Sequence, residues 1–547
     1  MIAWVMRAGN VHWLAGVVLL LGPGCYKSYE VEARGGLDAG ADSTLDTGID
    51  GRIDGSDAAP DTRPPLPDAM PIEEPPPPPG RCRTDPVVAP FRDPVLEWRW
   101  PTGSVVHGDA VHVCSTPLVI DLEPGGETVD PVLAFVSYPP LRVDEPPGIL
   151  RIVDPRTNTT VSYPPNEGEL GLLEATTNLA AGDINNDGLN EIVGIGRGSG
   201  TYAFRSDGTL LWSSFYPLPS EFGTPPNFTA IGGAVSLADL EGDGTVEVVV
   251  GRTVLEGATG EHRWTGPSGT ARGINQFLGP ISCVADLNGD GNQEVIAGHT
   301  AFRADGSIYW SNDELFDGLC AVADVYPAIP GPEVVLSGNG YVRVLNGRTG
   351  AVEWLRQLEG RVRLSLGGAP TVADFDGDGD VEFGIAHGAA YGVYDPSCSE
   401  NPRPSGCRGD GLLWKDDSTA DDSSSGTGSS VFDFNGDGRA EVVYNDQFYF
   451  RVYDGTNGRA LFQHRNSSRT RTENPTIADI DNDGDAEIIF SANAEAFFIR
   501  EFYTDPGVEV WGDARGRWVG ARRIWNQHAY NISNVEEDGT IPRNPSS

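Results

Sequence analysis

Six copies of one nine-residue acidic pattern divide the middle of the chain into similar units. The copies are DINNDGLNE from Asp183, DLEGDGTVE from Asp239, DLNGDGNQE from Asp286, DFDGDGDVE from Asp374, DFNGDGRAE from Asp433 and DIDNDGDAE from Asp479. They share Asp at positions one and five, Asp, Asn or Glu at three, Gly at six and Glu at nine. Two degenerate units, one with Asp121 and one with Asp324 and Glu333, extend the series to eight units spaced 38 to 62 residues apart. An internal period of this size is typical of repeat folds.

Each unit has the signature of a small antiparallel sheet. A β-branched run follows the acidic pattern, then a turn such as Asp207-Gly208 or Asp305-Gly306, then a strand that often ends in Trp. Asp-Gly between alternating apolar residues is a strong hairpin signal. Four short strands in each unit of roughly 40–50 residues are typical of a propeller blade, so we predict an all-β propeller with eight four-stranded blades. The tryptophans are expected to pack between blades: Trp212, Trp264, Trp310, Trp354, Trp414 and Trp511.

The crowding of acids favours a bound cation. Ca²⁺ prefers six to eight oxygen ligands, and alternating side chains of a tight loop can converge on one point. In DFDGDGDVE we predict as ligands the side chains of Asp374, Asp376, Asp378 and Glu382 and the carbonyl of Asp380. By position, the other predicted ligands are Asp183, Asn185, Asp187, Leu189, Glu191, Asp239, Glu241, Asp243, Thr245, Glu247, Asp286, Asn288, Asp290, Asn292, Glu294, Asp433, Asn435, Asp437, Arg439, Glu441, Asp479, Asp481, Asp483, Asp485 and Glu487. The sequence therefore predicts up to six Ca²⁺ ions. The alternative is a set of solvated Asx turns without metal.

Units such as PTVADFDGDGDVEFGIA and STPLVIDL resemble FG-GAP/VCBS repeats, the calcium-loop blades of integrin-alpha-like β-propellers, over roughly residues 95–512. The resemblance implies calcium between neighbouring strands of a blade. It also leaves seven blades, the usual number in that family, as an alternative to the eight preferred here. The chain departs from the family in having Glu at position nine instead of Asp. PVLEWRW, Pro94 to Trp100, is expected to be an outer strand that completes the last blade.

The two ends of the chain differ from its middle. Residues 1–25 have the features of an export signal, and GPGC resembles the lipobox of bacterial lipoproteins, which would make Cys25 a lipidated residue, although Gly22 stands where Leu is expected. A cleaved signal peptide and an unprocessed tail are the alternatives. Residues 26–90 are predicted to be a disordered Asp/Pro-rich tether, and 91–515 the propeller. Residues 516–547 resemble a tail that follows such propellers in exported proteins of myxobacteria-like organisms. We expect either a clasp over the ring or a partner-docking element there.

An exported protein favours disulfides. Cys398 and Cys407 bracket the insertion CSENPRPSGC and are expected to pair. Cys283 and Cys320 occupy nearly equivalent places in adjacent repeats, so they are a second candidate pair. Spacing alone does not fix the connectivity.

Charge and motifs narrow the function classes. The formal net charge is −41, from 79 Asp and Glu against 38 Lys and Arg, which argues against nucleic acid and anionic membranes as partners. We expect a monomer that meets a membrane only through an N-terminal anchor, located at the outer membrane or cell surface, or alternatively secreted. No His-Glu-x-x-His, nucleophile elbow, Walker loop or dinucleotide fingerprint occurs in the sequence, so an enzyme is not expected. His107 and His112 are expected to be surface or packing residues.

Three functions remain. The leading one is an adhesion or binding module for a protein or glycan, stiffened by calcium. The second is a calcium-dependent polysaccharide lyase, with Arg361, Arg363, Arg522 and Arg523 as candidate basic residues. The third is a purely structural surface protein.

Overall fold

Short antiparallel strands make up nearly all of the regular structure. A computed structural model of the chain describes residues 91–545 except 127–128, 141–146, 167, 170, 198–199, 215–231, 276–277, 360–366, 400–410, 422–424, 494–504 and 544. The predicted export signal, Cys25, the predicted tether, Arg361, Arg363 and Cys407 lie outside the described residues. Within those residues, no helix has the length and apolar character needed to cross a membrane.

The described strands form eight sheets, which are the blades of a β-propeller. The first strand, β1 (Pro94–Trp100), is set apart from its blade in sequence. Blade 1 contains β2 (His112–Val113), β3 (Leu118–Ile120), β4 (Val132–Tyr138), β5 (Pro147–Asp154), β6 (Thr159–Tyr163) and β7 (Leu173–Glu174); blade 2 contains β8 (Ala180–Gly182), β9 (Glu191–Ile195), β10 (Thr201–Phe204) and β11 (Leu210–Ser214); blade 3 contains β12 (Ser236–Ala238), β13 (Glu247–Val250), β14 (Thr253–Glu256) and β15 (His262–Thr265); blade 4 contains β16 (Cys283–Ala285), β17 (Glu294–Ala297), β18 (Thr300–Phe302) and β19 (Ile308–Ser311). Blade 5 contains β20 (Leu319–Ala323), β21 (Glu333–Gly338), β22 (Tyr341–Asn346) and β23 (Val352–Gln357); blade 6 contains β24 (Thr371–Ala373), β25 (Glu382–His387), β26 (Ala390–Tyr394), a 3₁₀ helix (Pro396–Ser399) and β27 (Leu412–Asp416); blade 7 contains β28 (Ser429–Phe432), β29 (Glu441–Asn445), β30 (Tyr449–Tyr453) and β31 (Ala460–Arg465); blade 8 contains β32 (Thr476–Ala478), β33 (Glu487–Ala492) and β34 (Gly507–Asp513), with β1 as its fourth strand.

The prediction of an all-β propeller with eight blades is confirmed. In blades 2 to 7 the strands pair in sequence order, so each blade is an antiparallel meander. The first strand of one blade contacts the first strand of the next, which places these strands around the centre of the ring. The second strands are buried along their length and mostly apolar after their first residue, as in Glu247–Val250, because neighbouring blades cover both of their faces. The fourth strands, such as Ala460–Arg465, are partly exposed.

The ring is closed by strands from the two ends of the propeller. Strand β1 pairs antiparallel with β34, from Pro94 opposite Asp513 to Trp100 opposite Val508. PVLEWRW therefore completes the last blade, as the sequence predicted. The assignment of Trp511 to a final strand was wrong, because Trp511 lies in the third strand and the outermost strand is β1. Trp98 of β1 takes the equivalent place, and its indole Nε1 donates to Asn158 Oδ1 of blade 1 at 2.6 Å.

The tryptophans join consecutive blades, as predicted. The indole Nε1 atoms of Trp212, Trp264 and Trp310 donate to the carbonyl oxygens of Gly257, Ala304 and Gly347 in the next blade, at 2.7 to 2.8 Å. Trp414 makes the same contact with Gly455. Trp354 instead packs edge-on against Phe383 of blade 6, with ring centroids 5.6 Å apart.

Glycine makes room for these indoles. Gly350 has φ +69° in the last turn of blade 5, and a Cβ built on it would lie 2.6 Å from Trp310 Cε3. The turn sequence and the Trp of the preceding blade are therefore matched parts of one contact.

A disulfide joins blades 4 and 5. Cys283 of β16 and Cys320 of β20 are bonded, with Cα atoms 6.1 Å apart. These two strands are neighbouring first strands near the centre of the ring. Cys398 is buried within the 3₁₀ helix of blade 6, and its predicted partner Cys407 is outside the described residues.

The C-terminal segment after β34 fastens to five consecutive blades. Its backbone and side chains exchange hydrogen bonds with the backbone of first strands and of the loops that follow them. Val119 N donates to Trp525 O at 3.0 Å, Ala181 N to Asn526 O at 2.8 Å, and Leu237 N to Gln527 Oε1 at 2.8 Å. Asp479 N donates to Arg522 O, and Val519 N donates to Phe434 O. The segment thus satisfies polar groups that a bare ring would leave without partners.

We expect the substitution Trp310→Ala to lower the free energy of unfolding by about 3–5 kcal/mol, because it empties the space between blades 4 and 5. Trp310→Phe should cost less, since it keeps most of the packing but leaves the Gly347 carbonyl without its donor. Phe316→Ala is the control, because that ring is 56% exposed. Urea titration followed by circular dichroism gives the comparison, and equal losses for Trp310→Ala and Phe316→Ala would contradict the assigned role.

Candidate cation-binding loops

The six acidic loops lie on one face of the propeller. Each connects the first and second strands of its blade, and the Glu at position nine is the first residue of the second strand: Glu191, Glu247, Glu294, Glu382, Glu441 and Glu487. Because the blades share one topology, all six loops occur at the same end of their sheets.

Backbone N–H groups fold each loop around its first Asp. Asp374 Oδ1 accepts from Gly377 N at 2.6 Å and Oδ2 accepts from Gly379 N at 3.0 Å. Asp378 Oδ1 then accepts from Asp380 N at 2.9 Å. Gly379 has φ +92°, which explains the Gly at position six in every copy. The predicted Asx turns are therefore present, and they are compatible with either of the two interpretations of the loops.

The Glu at position nine ties the loop to the second strand. Its Oε2 accepts from the backbone N of the residue at position two, for example Leu240 N to Glu247 at 2.8 Å and Phe375 N to Glu382 at 2.8 Å. These carboxyl groups are buried, so their ionised forms are costly. Burial, with the nearby acids, raises the pKa of Glu191 and Glu294 to about 7 and that of Glu441 to about 8.

The other oxygen of this Glu divides the loops into classes. In three loops, an Asn at position three donates to it: Asn185 Nδ2 to Glu191 Oε1 at 3.0 Å, Asn288 to Glu294 at 2.9 Å and Asn435 to Glu441 at 2.9 Å. A neutral amide therefore satisfies Oε1 in blades 2, 4 and 7. In these loops the predicted ligands share the loop, but three carboxylates do not converge among the described residues.

The Asp374 loop of blade 6 brings its acids together. Oxygen atoms of Asp374, Asp376 and Glu382 all lie within 4.8 Å of one another. Glu382 is 1% exposed, and its Oε1 has no hydrogen-bond partner in the part of the chain that the structure describes. Burial and the charges of Asp376, Asp395 and Asp374 raise the pKa of Glu382 to about 10. Without a cation this site must therefore hold a proton at neutral pH.

The Asp479 loop of blade 8 is the second convergent group. Oxygen atoms of Asp479, Asp481 and Asp483 lie within 4.8 Å of one another. Burial raises the pKa of Asp479 to about 6, although Arg523 Nε lies 3.4 Å from its Oδ2. Partial burial and the charges of Asp481, Asp483 and Asp485 raise the pKa of Glu97 to about 7. The last blade thus collects acids from both ends of the propeller.

The Asp239 loop of blade 3 contains a cation of its own. Arg263 of β15 forms two hydrogen bonds with Glu241, Nη2 to Oε1 at 2.6 Å and Nη1 to Oε2 at 3.1 Å. Its Nη1 also donates to Glu247 Oε1. The guanidinium therefore contacts the predicted ligands at positions three and nine.

The degenerate units are built differently. Asp121 accepts from the backbone N of Glu123 and of Asp130, both at 3.0 Å, and so closes a turn. Glu333 Oε2 accepts from Val325 N and Tyr326 N at 2.9 Å, which repeats the position-nine contact without the acidic loop.

Two site residues, Glu97 and Arg263, were not predicted from the sequence. Both directly precede a Trp in the outermost strand of their blade. Comparison of the residues before the Trp in each unit could have singled out Arg263, but Glu97 belongs to a strand far from its loop in sequence.

Arg522 and Arg523, the candidate lyase residues that the structure describes, are engaged by acids and carbonyl groups of the protein itself. Arg522 is partly buried and donates to Glu537, to the carbonyl of Ile532 and to that of Val535 at 2.8 to 2.9 Å. Arg523 pairs with Asp479, as described above. His107 is buried and donates to the Pro164 carbonyl at 2.9 Å, and His112 packs against Tyr138.

Comparison with known families identifies the repeat. Residues 173–250 and 433–490 match the FG-GAP-like repeat. The first segment contains the Asp183 and Asp239 loops, and the second contains the Asp433 and Asp479 loops. No curated protein matches the chain.

Three solved structures share the fold at low sequence identity. The V. cholerae biofilm matrix protein Bap1 is 20% identical, with a TM-score of 0.65 over 83% of this chain and 97% of Bap1. The exotype rhamnogalacturonan lyase YesX is 16% identical, with a TM-score of 0.51 over 80% of this chain and 76% of the lyase. Rhamnogalacturonan lyase YesW is also 16% identical, with a TM-score of 0.50 over 83% of this chain and 80% of that chain. At these identities the similarity concerns the fold.

The raised pKa values predict an unusual pH dependence for the metal-free protein. A carboxyl whose pKa is higher in the folded than in the unfolded state adds stability below its unfolded pKa, near 4.5 for Glu. That contribution is lost as the pH rises through the folded value, which is about 6 for Asp376, about 7 to 8 for Glu191, Glu294 and Glu441, and about 10 for Glu382. In chelator, the melting temperature should therefore fall between pH 5 and pH 8.

Differential scanning fluorimetry in chelator across this range measures the effect. Glu382→Gln cannot ionise and should make the fall shallower, whereas Glu261→Gln, at an exposed turn, should leave it unchanged. A melting temperature that stays flat or rises from pH 5 to pH 8 would show that the buried glutamates do not govern stability.

Proposed function

We propose that this eight-bladed propeller of FG-GAP-like repeats is a calcium-stabilised binding module that displays its loops to a protein or glycan partner outside the cytoplasm. One observation carries the calcium assignment. Three carboxylates of blade 6 converge within 4.8 Å, and the fully buried Glu382 Oε1 has no partner among the described residues. A buried carboxylate needs a proton or a cation as its partner.

The residues of blade 6 fit a hard divalent cation. Asp374, Asp376, Asp378 and Glu382 offer carboxylate oxygens, which are the ligands that Ca²⁺ prefers. In blade 8, Asp479, Asp481, Asp483 and Glu487 offer a similar set. A bound cation would neutralise these acids and tie the loop to both of its strands. The Asn-containing loops offer fewer charges, so we expect weaker binding in blades 2, 4 and 7.

Rigidly held loops on one face of the propeller are suited to the recognition of a partner. Loops held by a rigid scaffold commonly carry binding functions. The acidic surface disfavours nucleic acid, which leaves proteins and glycans as partner classes. The shared fold with a biofilm matrix protein supports, as an analogy, a role in attachment at the cell surface. A lipid on Cys25, with residues 26–90 as a tether, would place the propeller at a membrane surface.

Lyase activity is the second candidate, favoured by the two rhamnogalacturonan lyases of similar fold. The described candidate bases Arg522 and Arg523 are engaged in ion pairs with Glu537 and Asp479, which is the arrangement of structural residues. We therefore rank binding above catalysis.

Calcium should raise the melting temperature, because a ligand that binds only the folded state adds to stability. At a concentration 100 times the dissociation constant, each site contributes about 2.7 kcal/mol. The double variant Asp376→Ala/Asp481→Ala should lose much of the calcium-dependent shift, and Asp417→Ala, in an exposed pair with Lys415, should retain it. Scanning calorimetry in calcium and in chelator tests this. Identical curves in the two buffers would refute the calcium assignment.

Binding and lyase activity can be separated in one experiment. The full chain is applied to arrays of acidic and neutral glycans in calcium or in chelator, and the same polysaccharides are incubated with it while ultraviolet absorbance is followed. A binding module should be retained in calcium and released by chelator, with no rise in absorbance. Unsaturated ends would show a lyase. If the glycans give neither retention nor cleavage, crosslinking on intact cells tests for a protein partner, and its absence there would refute the binding proposal.

A further inference from the structure

The outermost strand of the blades carries a β-bulge at a constant place. The register shifts by one residue just before the Trp of β11, β15, β19, β23, β27 and β1, and before Phe462 of β31. A bulge leaves one extra residue on its strand and redirects the side chain of that residue. The extra residues are Leu211, Arg263, Tyr309, Glu353, Leu413, Leu461 and Glu97.

The bulge residue lies beside the loop of its own blade wherever a contact defines its position. In blade 7, Leu461 lines one cavity together with Asn435 and Glu441. In blade 4, burial raises the pKa of the Tyr309 hydroxyl group, and Tyr309 lies close enough to Glu294 and Asp290 for their charges to raise it further. In blade 8, Glu97 lies in the same way near Asp481 and Asp483. The chain therefore places a neutral, an acidic or a basic side chain at the same point of successive sites.

In blade 3 the bulge residue is the basic Arg263, and the acidic loop of this blade also differs from the others. Glu241 stands at position three, where the other loops have Asp or Asn. The guanidinium of Arg263 bonds both oxygens of Glu241, bonds Glu247 Oε1, and has its Nε 3.3 Å from Glu256 Oε1. Although burial opposes it, hydrogen bonding to Glu241 raises the pKa of Arg263, so the guanidinium stays charged. One internal cation thus contacts three carboxylates.

We propose that Arg263 replaces the metal ion in blade 3, so that the bulge residue determines whether the loop of its blade takes a divalent cation. The inference rests on the proposed calcium function of the other loops. A planar guanidinium matches a carboxylate through two parallel hydrogen bonds, and the longer side chain of Glu241 reaches it. A divalent ion would have to approach a positive charge that already occupies the oxygens at positions three and nine. The loop of blade 3 is therefore closed without calcium.

The test counts calcium ions bound to the full chain by native mass spectrometry. Arg263→Leu installs the residue that blades 2, 6 and 7 have at this point, and it should bind one calcium ion more than the wild type. Leu413→Arg, the reverse change in blade 6, where the acids of the loop converge, should bind one fewer. Arg205→Leu, whose guanidinium bonds the carbonyl of Leu210 outside any acidic loop, is the control and should leave the count unchanged.

Stability in chelator gives a second readout. Arg263→Leu leaves Glu241, Glu247 and Glu256 without their cation, so its melting temperature should depend on calcium more strongly than that of the wild type. If Arg263→Leu fails to fold, Arg263→Leu/Glu241→Asp, which restores the pattern of the other loops, takes its place and should also gain one ion. Glu241→Gln in the wild-type background should leave the count unchanged.

The outcomes separate the two proposals. Equal counts for the wild type and Arg263→Leu, or loss of an ion in Glu241→Gln, would overturn the role of Arg263 while leaving calcium binding by the other loops intact. No calcium in any protein would overturn the proposed calcium function and this inference together.

Discussion

A buried glutamate at the start of the second strand is the constraint around which each repeated blade is organised. Its Oε2 accepts a hydrogen bond from the backbone of the loop, as Glu382 does from Phe375 N at 2.8 Å. Its Oε1 must find a partner away from water. An amide supplies it in blade 2 through Asn185, and a guanidinium supplies it in blade 3 through Arg263. Blade 6 offers other carboxylates there, which leaves a proton or a metal ion. The same geometric demand is therefore met by different chemistry along one chain, because an unpartnered buried charge is far too costly to persist.

The contact between this glutamate and the loop is important because the first strands are short. Thr371–Ala373 and Thr476–Ala478 have three residues each, so few ladder hydrogen bonds hold them to the second strand. The loop contact through position nine extends that attachment beyond the ladder. Contacts between blades are of another kind: Trp310 fills a glycine-lined turn of blade 5, and a disulfide joins Cys283 to Cys320. Order within a blade and order between blades thus depend on separate interactions, as expected of a repeat fold in which each unit touches its neighbours.

The blades could be predicted from the sequence because their pattern repeats. The contacts that depend on closure of the ring or on the β-bulges could not. Regular spacing of Asp-x-Asp-x-Asp-Gly and of Asp-Gly turns predicted eight antiparallel blades, and the lone PVLEWRW predicted the closing strand. Glu97 could not be assigned to the Asp479 loop, because closure brings them together and a bulge at Glu97 sets the side chain apart from the regular alternation of its strand. Arg263 was hidden by the same bulge, since a strand with strict period two gives no reason to place it near Glu241. Trp511 was misassigned because the last unit borrows its fourth strand from the other end of the propeller.

The division among loops has a consequence for how the ring responds to its surroundings. In blade 3 Arg263 supplies a positive charge from the polypeptide itself, so that charge is present wherever the protein is. In blades 6 and 8 the converging carboxylates depend on what the solvent supplies, and extracellular calcium modules typically bind with dissociation constants of about 10⁻⁴–10⁻³ M. On the proposed calcium function, such sites would fill outside a cell and would stay without the ion inside one. Blade 8 is also the blade that closes the ring, and Glu97 on its closing strand lies close to the same acids. A cation that neutralised them would remove a repulsion between the two ends of the propeller, so on the proposed function calcium would favour closure.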